Sequence, residues 1–202
     1  MSSPAFVYLA SQSPRRRQLL EQLGVKHELL LADDSEDVEA LEEQRPAESA
    51  RAYVQRVTLL KLEAALARLK RRGLPVAPVL CSDTTVAWGS HILGKPENPT
   101  HAQEILTTLS GKTHRVLTSV ALGTLRRHSQ VLSTSQVRFA PMSTTQIKHY
   151  VASGEPMGKA GAYAIQGKAA AYVEHISGSY SGIMGLPMFE TAQLLRDFGF
   201  KV

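Results

Sequence analysis

Apolar residues in this chain alternate between short runs and helical spacing. Phe6 to Ala10 is a short apolar run, Leu19, Leu20 and Leu23 follow at helical spacing, and Ser11-Gln12-Ser13-Pro14-Arg15-Arg16-Arg17 lies between them. The pattern predicts a strand over Val7 to Ala10 and then a helix, with Ser13 as its N-cap. Pro14 falls at the first helical position, where a missing N–H costs nothing. Gly24 stops that helix, and His27 to Leu31 reads as a second strand. From Pro46 a long helix is expected, with Ala50, Tyr53, Val54, Val57, Leu60 and Ala64 on one face. It closes in Lys70-Arg71-Arg72, which complements the helix dipole and needs no partner.

Val76 to Leu80 and Val86 to Trp88 read as two short strands joined by Cys81-Ser82-Asp83-Thr84-Thr85. Thr100-His101-Ala102-Gln103 has capping-box form and starts a helix through Leu109. Thr113 to Leu125 and Val131 to Phe139 then predict a hairpin around Arg126 to Ser129, able to build a second lobe. Its histidines, His114 and His128, read as surface strand residues. Another capping box, Ser143 to Gln146, opens a helix ending near Ser153-Gly154. Ala170 to Ile176 is expected as a strand, and Gly185-Leu186-Pro187 as the entry to a last helix from Met188 to Phe198. Without repeats or a low-complexity linker, the alternation argues for a single α/β unit with a cleft.

Composition narrows the function classes. At 202 residues and 43% hydrophobic, the chain can bury one good core or two small lobes sharing a cleft. Met-Ser-Ser-Pro-Ala lacks a basic leader and an apolar segment, and no stretch approaches the roughly 20 apolar residues that cross a bilayer. A soluble, cytoplasmic protein is the expectation. The single cysteine, Cys81, excludes an internal disulfide framework and is expected buried and inert. A net charge of +5 suits an anionic partner but does not distinguish a nucleotide from a nucleic acid.

Placement of the charges says more. A strand running into a helix N-terminus aims free N–H groups and the positive dipole end at one spot, where Ser11, Ser13, Arg15 and Arg16 also gather. Arginine's planar fork grips two phosphate oxygens at once, so phosphate uses all of these groups. The alternative, a solvated arginine face on an amphipathic helix, fits the charges but not the hydroxyls or the N-terminal placement. Asp83, immediately past a buried strand, stands where open α/β sheets keep their chemistry, although an Asx-turn cap has the same appearance. Lys95, between Gly94 and Pro96, offers a compact charge to phosphate, and Lys61 can reach the cleft from the long helix. The acidic run Asp33 to Glu39 reads as a solvated loop or as oxygen ligands for a divalent metal near the arginines. The small-residue segment Gly154 to Gly167 lets backbone approach a ligand, with Gln166 offering donor and acceptor to a base edge and Lys159 offering charge.

Taken in order, Ser11-x-Ser13-Pro14-Arg15-Arg16, Ser82-Asp83-Thr84, Gly94-Lys95-Pro96, Ala160 to Gly167 and Gly185-Leu186-Pro187 resemble the Maf-like nucleotide pyrophosphatases over about residues 7 to 198. The resemblance implies a single domain over residues 1 to 202. Its fold is α/β, a two-lobed mixed sheet with flanking helices and a central cleft, related to the inosine triphosphate pyrophosphatases. It implies cleavage of a nucleoside triphosphate between the α and β phosphates with a divalent metal, Mg²⁺ or Mn²⁺, and commonly a homodimer.

Carried over by residue, the resemblance makes Asp83 the proton acceptor and a metal ligand. Ser13, Arg15, Arg16, Lys61 and Lys95 face the substrate. Glu36 is the second metal ligand, with Asp37 and Glu39 as alternatives within a longer acidic loop. Arg15, Thr84 and Gln166 resemble the branch acting on dTTP and UTP; a branch acting on 7-methyl-GTP has a different set. Phosphoryl chemistry of this kind needs charge neutralised along the triphosphate and an aligned water, which fits these side chains.

Two other readings stand beside it. One is a pyrophosphatase for 7-methyl-GTP or another modified nucleotide, since a base can be recognised by backbone atoms. The other is a nucleic-acid-binding regulator of septum formation. A binder needs basic residues interleaved with aromatics along one face, whereas here aromatics are 6% and scattered, so nucleic acid is not the expected partner.

Overall fold

The computed structural model describes residues 5–33 and 36–202. Asp34 and Ser35 of the acidic run lie outside the described residues. The chain opens as expected: β1 (Val7–Leu9), α1 (Pro14–Gln22) and β2 (His27–Leu29). A single 3₁₀ turn (Ala40–Glu42) precedes the long helix α2 (Ala50–Arg71). Then come β3 (Val79–Trp88), β4 (His91–Leu93), α3 (Pro99–Leu109), the hairpin β5 (Thr113–Gly123) and β6 (His128–Phe139), and α4 (Thr144–Ala152). Two 3₁₀ segments (Ala160–Ala162 and Lys168–Tyr172) lead into β7 (Val173–Ser177), the short α5 (Tyr180–Met184) and α6 (Met188–Asp197).

Among the described residues, seven strands form one mixed sheet in the order β2-β1-β3-β5-β6-β7, with β4 paired to the far part of β3. β2, β1 and β3 are parallel, while β3, β5, β6 and β7 are antiparallel neighbours. Helix α2 covers one face, setting Leu62, Ala65 and Leu69 against Tyr8, Val79, Cys81 and Ala121. The opposite face is covered by α1 and α6 over Val7, Leu9, Leu80, Val120 and Leu122, and by α3 and α4 over Val86, Val116, Val137 and Phe139.

Side-chain caps fix several helix starts. Ser13 accepts from the Arg16 N–H and Pro14 occupies the first turn, as the sequence predicts. The capping box at Ser143 and Gln146 is present in both directions. Two starts differ from expectation. Helix α2 begins at Ala50 with Ser49 as cap, not at Pro46, and α3 begins at Pro99 with Asn98 accepting from the His101 N–H, not at Thr100. In both cases an Asx or Ser oxygen next to the first turn outcompetes the more distant signal.

The strands around Asp83 differ most. Val79 to Trp88 is one continuous strand, so Cys81 to Thr85 is not a connecting loop and Asp83 lies in mid-strand. This strand pairs with β5 along nearly its whole length, from Val79 opposite Gly123 to Ala87 opposite Arg115. On its other side β1 reaches only as far as Leu80, and β4 begins only at Val86. Cys81 to Thr85 therefore lies at an opening in the sheet, which side chains from both faces can border.

Candidate active site

A cavity of about 500 Å³ lies at this opening, lined from both sheet faces. Alternation along β3 sends Asp83 toward α2 and Thr84 toward α1, so neighbouring residues serve opposite walls. Ser13, Arg15, Arg16, Lys61, Asp83, Thr84, Lys95 and Gln166 all line the cavity. Residues from both ends of the chain thus converge on one place.

On the α2 wall, charges pair among themselves. The Lys61 Nζ lies 2.6 Å from the Asp83 Oδ1 and 2.7 Å from the Glu42 Oε1, so one ammonium bridges two carboxylates. Lys95 reaches the other Glu42 oxygen at 2.9 Å, which extends the chain to Asp83–Lys61–Glu42–Lys95. Burial opposes the charge on Lys61, but Asp83 and Glu42 outweigh it and hold its pKa above the ordinary lysine value. Burial likewise opposes ionisation of Glu42, yet the two lysines keep its pKa low. Tyr53 donates to the Glu42 carbonyl at 2.8 Å, and Arg56 holds the Glu43 carbonyl and the Glu48 carboxylate.

The α1 wall carries cations that form no ion pair with a carboxylate among the described residues. Arg16 is enclosed: its Nε donates to the Gly185 carbonyl at 2.9 Å, one terminal nitrogen to the Ser11 Oγ and the other to the Thr84 Oγ1, both at 3.3 Å. Burial lowers its pKa, with Asp83 acting in the opposite sense. Arg15 is freer, with its Nε 3.4 Å from the Met184 carbonyl. Lys159 lines the same wall, and its Nζ donates only to the Met157 carbonyl, at 3.3 Å, among the described contacts. Burial and then the nearby charge of Arg15 lower the Lys159 pKa, with Glu155 acting in the opposite sense. Its segment is docked through Gly161, whose N–H donates to the Gly94 carbonyl at 3.1 Å. A Cβ at Gly161 would stand 2.9 Å from the Val86 methyls, and its φ is +70°, so both space and backbone require glycine there.

The acidic partner differs from the sequence expectation. Glu36 does not line the cavity with Asp83. It takes a bidentate grip from Arg68 at 2.8 and 2.6 Å and a further bond from Arg71 at 2.6 Å, and the Arg68 bonds hold its pKa down at about 2. The basic end of α2 is therefore partnered, contrary to the expectation that it stands alone: Arg71 and Arg72 also hold Asp33. Glu42 reaches the cavity instead, because the 3₁₀ turn after the acidic run carries it back over α2. Among the other candidates, Asp37 caps that turn by accepting from the Ala40 N–H, and Glu39 lines the cavity.

Three features of the site go unread in the sequence: Glu42, the hydroxyl of Thr118, and the pairing of Lys61 with both carboxylates. For Thr118 a signal exists, because Thr118-Ser119 interrupts an otherwise apolar alternation in a buried strand. His114 is also placed differently. It is 2% exposed, not on the surface, with its Nε2 2.8 Å from the Tyr163 hydroxyl. Cys81 is buried as expected, and burial pushes its thiol up to about 12.

The family model described as Maf-like protein matches residues 6–198. The chain belongs to the Maf-like protein family. Among curated relatives, a dTTP/UTP pyrophosphatase of Albidiferax ferrireducens is 68% identical over 197 residues, covering 98% of each chain. One of Polaromonas sp. is 63% identical over 202 residues and the whole of both chains. One of Cupriavidus metallidurans is 62% identical over 195 residues, 96% of this Maf-like chain and 98% of its own. Among solved structures, the Ham1 protein of Staphylococcus aureus aligns with 66% of this chain and 71% of its own at 12% identity, with a TM-score of 0.41. No described helix is long and apolar enough to cross a membrane.

Proposed function

We propose that this Maf-like protein hydrolyses dTTP and UTP to the monophosphate and pyrophosphate. The observation that carries the reading is the asymmetry of the cavity. One wall holds a self-neutralised chain of two carboxylates and two lysines, and the other holds Arg15, Arg16 and Lys159, which form no ion pair with a carboxylate among the described residues and feel Asp83 and Glu155 only at longer range. A triphosphate fits between them, its charge met by the arginine wall and its scissile bond beside Asp83. The names of the relatives supply the substrate class.

In this reading Asp83 accepts the proton of the attacking water. Its Oδ1 is engaged by Lys61 at 2.6 Å, which leaves the second carboxylate oxygen for that task. Lys61 holds Asp83 in place, half-exposed Lys95 can exchange its bond to Glu42 for an oxygen of the leaving pyrophosphate, and Arg15 and Arg16 orient the phosphates through fixed N–H forks.

Asp83 and Glu42 suit a divalent cation in donor chemistry, since both are carboxylates borne on adjacent elements. Asp83 and Glu42 would hold Mg²⁺ or Mn²⁺ in exchange for part of their lysine pairing, with substrate oxygens completing the ligands, as is usual for Mg²⁺. When bound it supplies charge neutralisation on the phosphates. Gln166 is exposed at the cavity, and its amide can meet the donor and acceptor of a 4-keto pyrimidine. A cytoplasmic homodimer completes the proposal and rests on the family resemblance.

The test is a panel of nucleotides read out as pyrophosphate, with and without Mg²⁺ or Mn²⁺. dTTP and UTP are expected to be cleaved at least about tenfold better than CTP, GTP or 7-methyl-GTP, the discrimination given by one lost base pairing. Orthophosphate as the sole initial product would overturn the reaction, and 7-methyl-GTP as the best substrate would overturn the base assignment.

A further inference from the structure

We propose that Thr118 is a positioning residue for Arg16, acting through Thr84 by a hydroxyl relay of fixed direction. The inference rests on the reading of the cavity as a triphosphate site. Thr118 is 1% exposed in the middle of β5, directly opposite Thr84 in the pairing register. Its Oγ1 lies 2.7 Å from the Gly182 carbonyl of α5. A carbonyl only accepts, so the Thr118 proton goes there.

That fixes the next link. The Thr84 and Thr118 hydroxyl oxygens are 3.0 Å apart, and with the Thr118 proton already committed, Thr84 must be the donor. Thr84 then has no proton left for a base, and it meets Arg16 as an acceptor, at 3.3 Å. The relay runs from Arg16 to Thr84 to Thr118 to the Gly182 carbonyl, every step with its donor and acceptor defined.

The far end of the relay belongs to the element that also holds Arg16 from the other side. The Gly185 carbonyl accepts from the Arg16 Nε at 2.9 Å and lies 2.9 Å from the Ser82 hydroxyl, whose one proton it shares with the Ser119 carbonyl, also at 2.9 Å. Gly185 has φ +117°, and a Cβ there would stand 3.3 Å from the Arg16 Nε and 3.5 Å from the Thr84 Oγ1, so a side chain at this position would strain the backbone and press on the guanidinium. Three of the five guanidinium donors are engaged by Gly185, Ser11 and Thr84, which leaves two for an anion. Where those two point depends on the bond to Thr84, and its direction depends on Thr118. Thr84 therefore influences the substrate through the guanidinium of Arg16 and not by donating to the base.

The test uses inorganic tripolyphosphate, bound to the intact protein and measured by calorimetry, so that nucleotide choice does not enter. Thr118→Val is expected to weaken binding roughly five- to tenfold, the loss of one positioning hydrogen bond, and Thr118→Ser to restore it. Thr84→Val should match Thr118→Val, and in an Arg16→Met background Thr118→Val should have no further effect. A purely structural role for Thr118 predicts the same loss with or without Arg16. Should the valine variant not fold, Thr118→Ala repeats the measurement. Affinity within twofold of wild type, or an undiminished loss in the Arg16→Met background, overturns the relay. Failure of the wild-type protein to bind tripolyphosphate overturns the phosphate reading and the relay with it, whereas failure on dTTP and UTP alone leaves the relay standing.

Discussion

Asp83 and Lys159 are held in the cavity in opposite ways, and each gives a separable prediction. Asp83 has its counter-ion at 2.6 Å, so the pair is formed before any substrate arrives. Asp83→Asn keeps the shape and leaves Lys61 its bond to Glu42, but removes the proton acceptor. Activity should fall by about 10²- to 10⁴-fold with an unchanged circular dichroism spectrum, and a fall of less than about tenfold would make Asp83 a scaffold residue. Lys159 has the reverse balance, since burial and Arg15 oppose its charge more than Glu155 favours it, and it has one weak hydrogen bond. Such a cation costs stability in the free protein. Lys159→Met should leave the Tm unchanged or raise it while weakening binding of dTTP about tenfold or more, the loss of one charge-assisted bond. A lowered Tm with full affinity would show that Lys159 serves the fold alone.

At the scale of elements, the segment from Glu36 to Glu48 is tied to α2 at both ends. Arg68, 3% exposed, holds the Leu30 carbonyl at 2.8 Å and both oxygens of Glu36, while Arg56 grips Glu48 and the Glu43 carbonyl at the other end. Glu42 is suspended between these ties. Arg68→Met strands the Leu30 carbonyl and removes two of the three arginine bonds to Glu36, and it should cost about 3 kcal/mol in urea unfolding. Amide exchange over residues 36 to 48 should quicken in that variant before it does elsewhere. Uniform exchange across the chain would mean that Arg68 stabilises the core and not the segment.

These ties mark the limit of what the sequence discloses. The N-terminal strand, its capped helix and the arginines were legible because cap, proline and apolar run all lie within a few residues of one another. Strand β3 was not, because Ser82-Asp83-Thr84-Thr85 looks like a connection when its polar side chains are read without the sheet opening that they border. On α2 the inward face drifts from Val57 to Leu62, Ala65 and Leu69, so Leu60 and Ala64 are only partly covered. Glu36 was the expected acidic residue by proximity along the chain, whereas the choice of Glu42 depends on a 3₁₀ turn and on Tyr53, Lys61 and Lys95, all distant in sequence.

For the molecule as a whole, His114 and Glu36 mark two stages in the response of stability to acid, and the lowered carboxyls of Glu42, Glu48 and Glu155 add to the second. His114 lies on β5 with its ring edge-on to Phe139 and Tyr163, its Nε2 on the Tyr163 hydroxyl and its Nδ1 without a partner among the described residues. Burial lowers its pKa to about 4, from an ordinary value near 6.5. Between these values the unfolded chain binds a proton that the folded protein refuses, so unfolding is favoured as the pH falls, by at most about 1.4 kcal/mol per pH unit. Glu36, held at about 2 by Arg68, acts in the same sense one step lower, since its unfolded carboxylate takes up a proton near the ordinary value of 4.5. The protein should thus lose stability in two stages, the first between about pH 6.5 and 4 and the second below about 4.5. Melting curves across pH 7 to 3 separate them, because His114→Gln should flatten only the upper limb and Glu36→Gln only the lower. A wild-type Tm that holds constant from pH 7 to 4.5 would show that the His114 site opens to water and takes up its proton without unfolding. In that case the Tyr163 side of the cavity would be the yielding part of the fold.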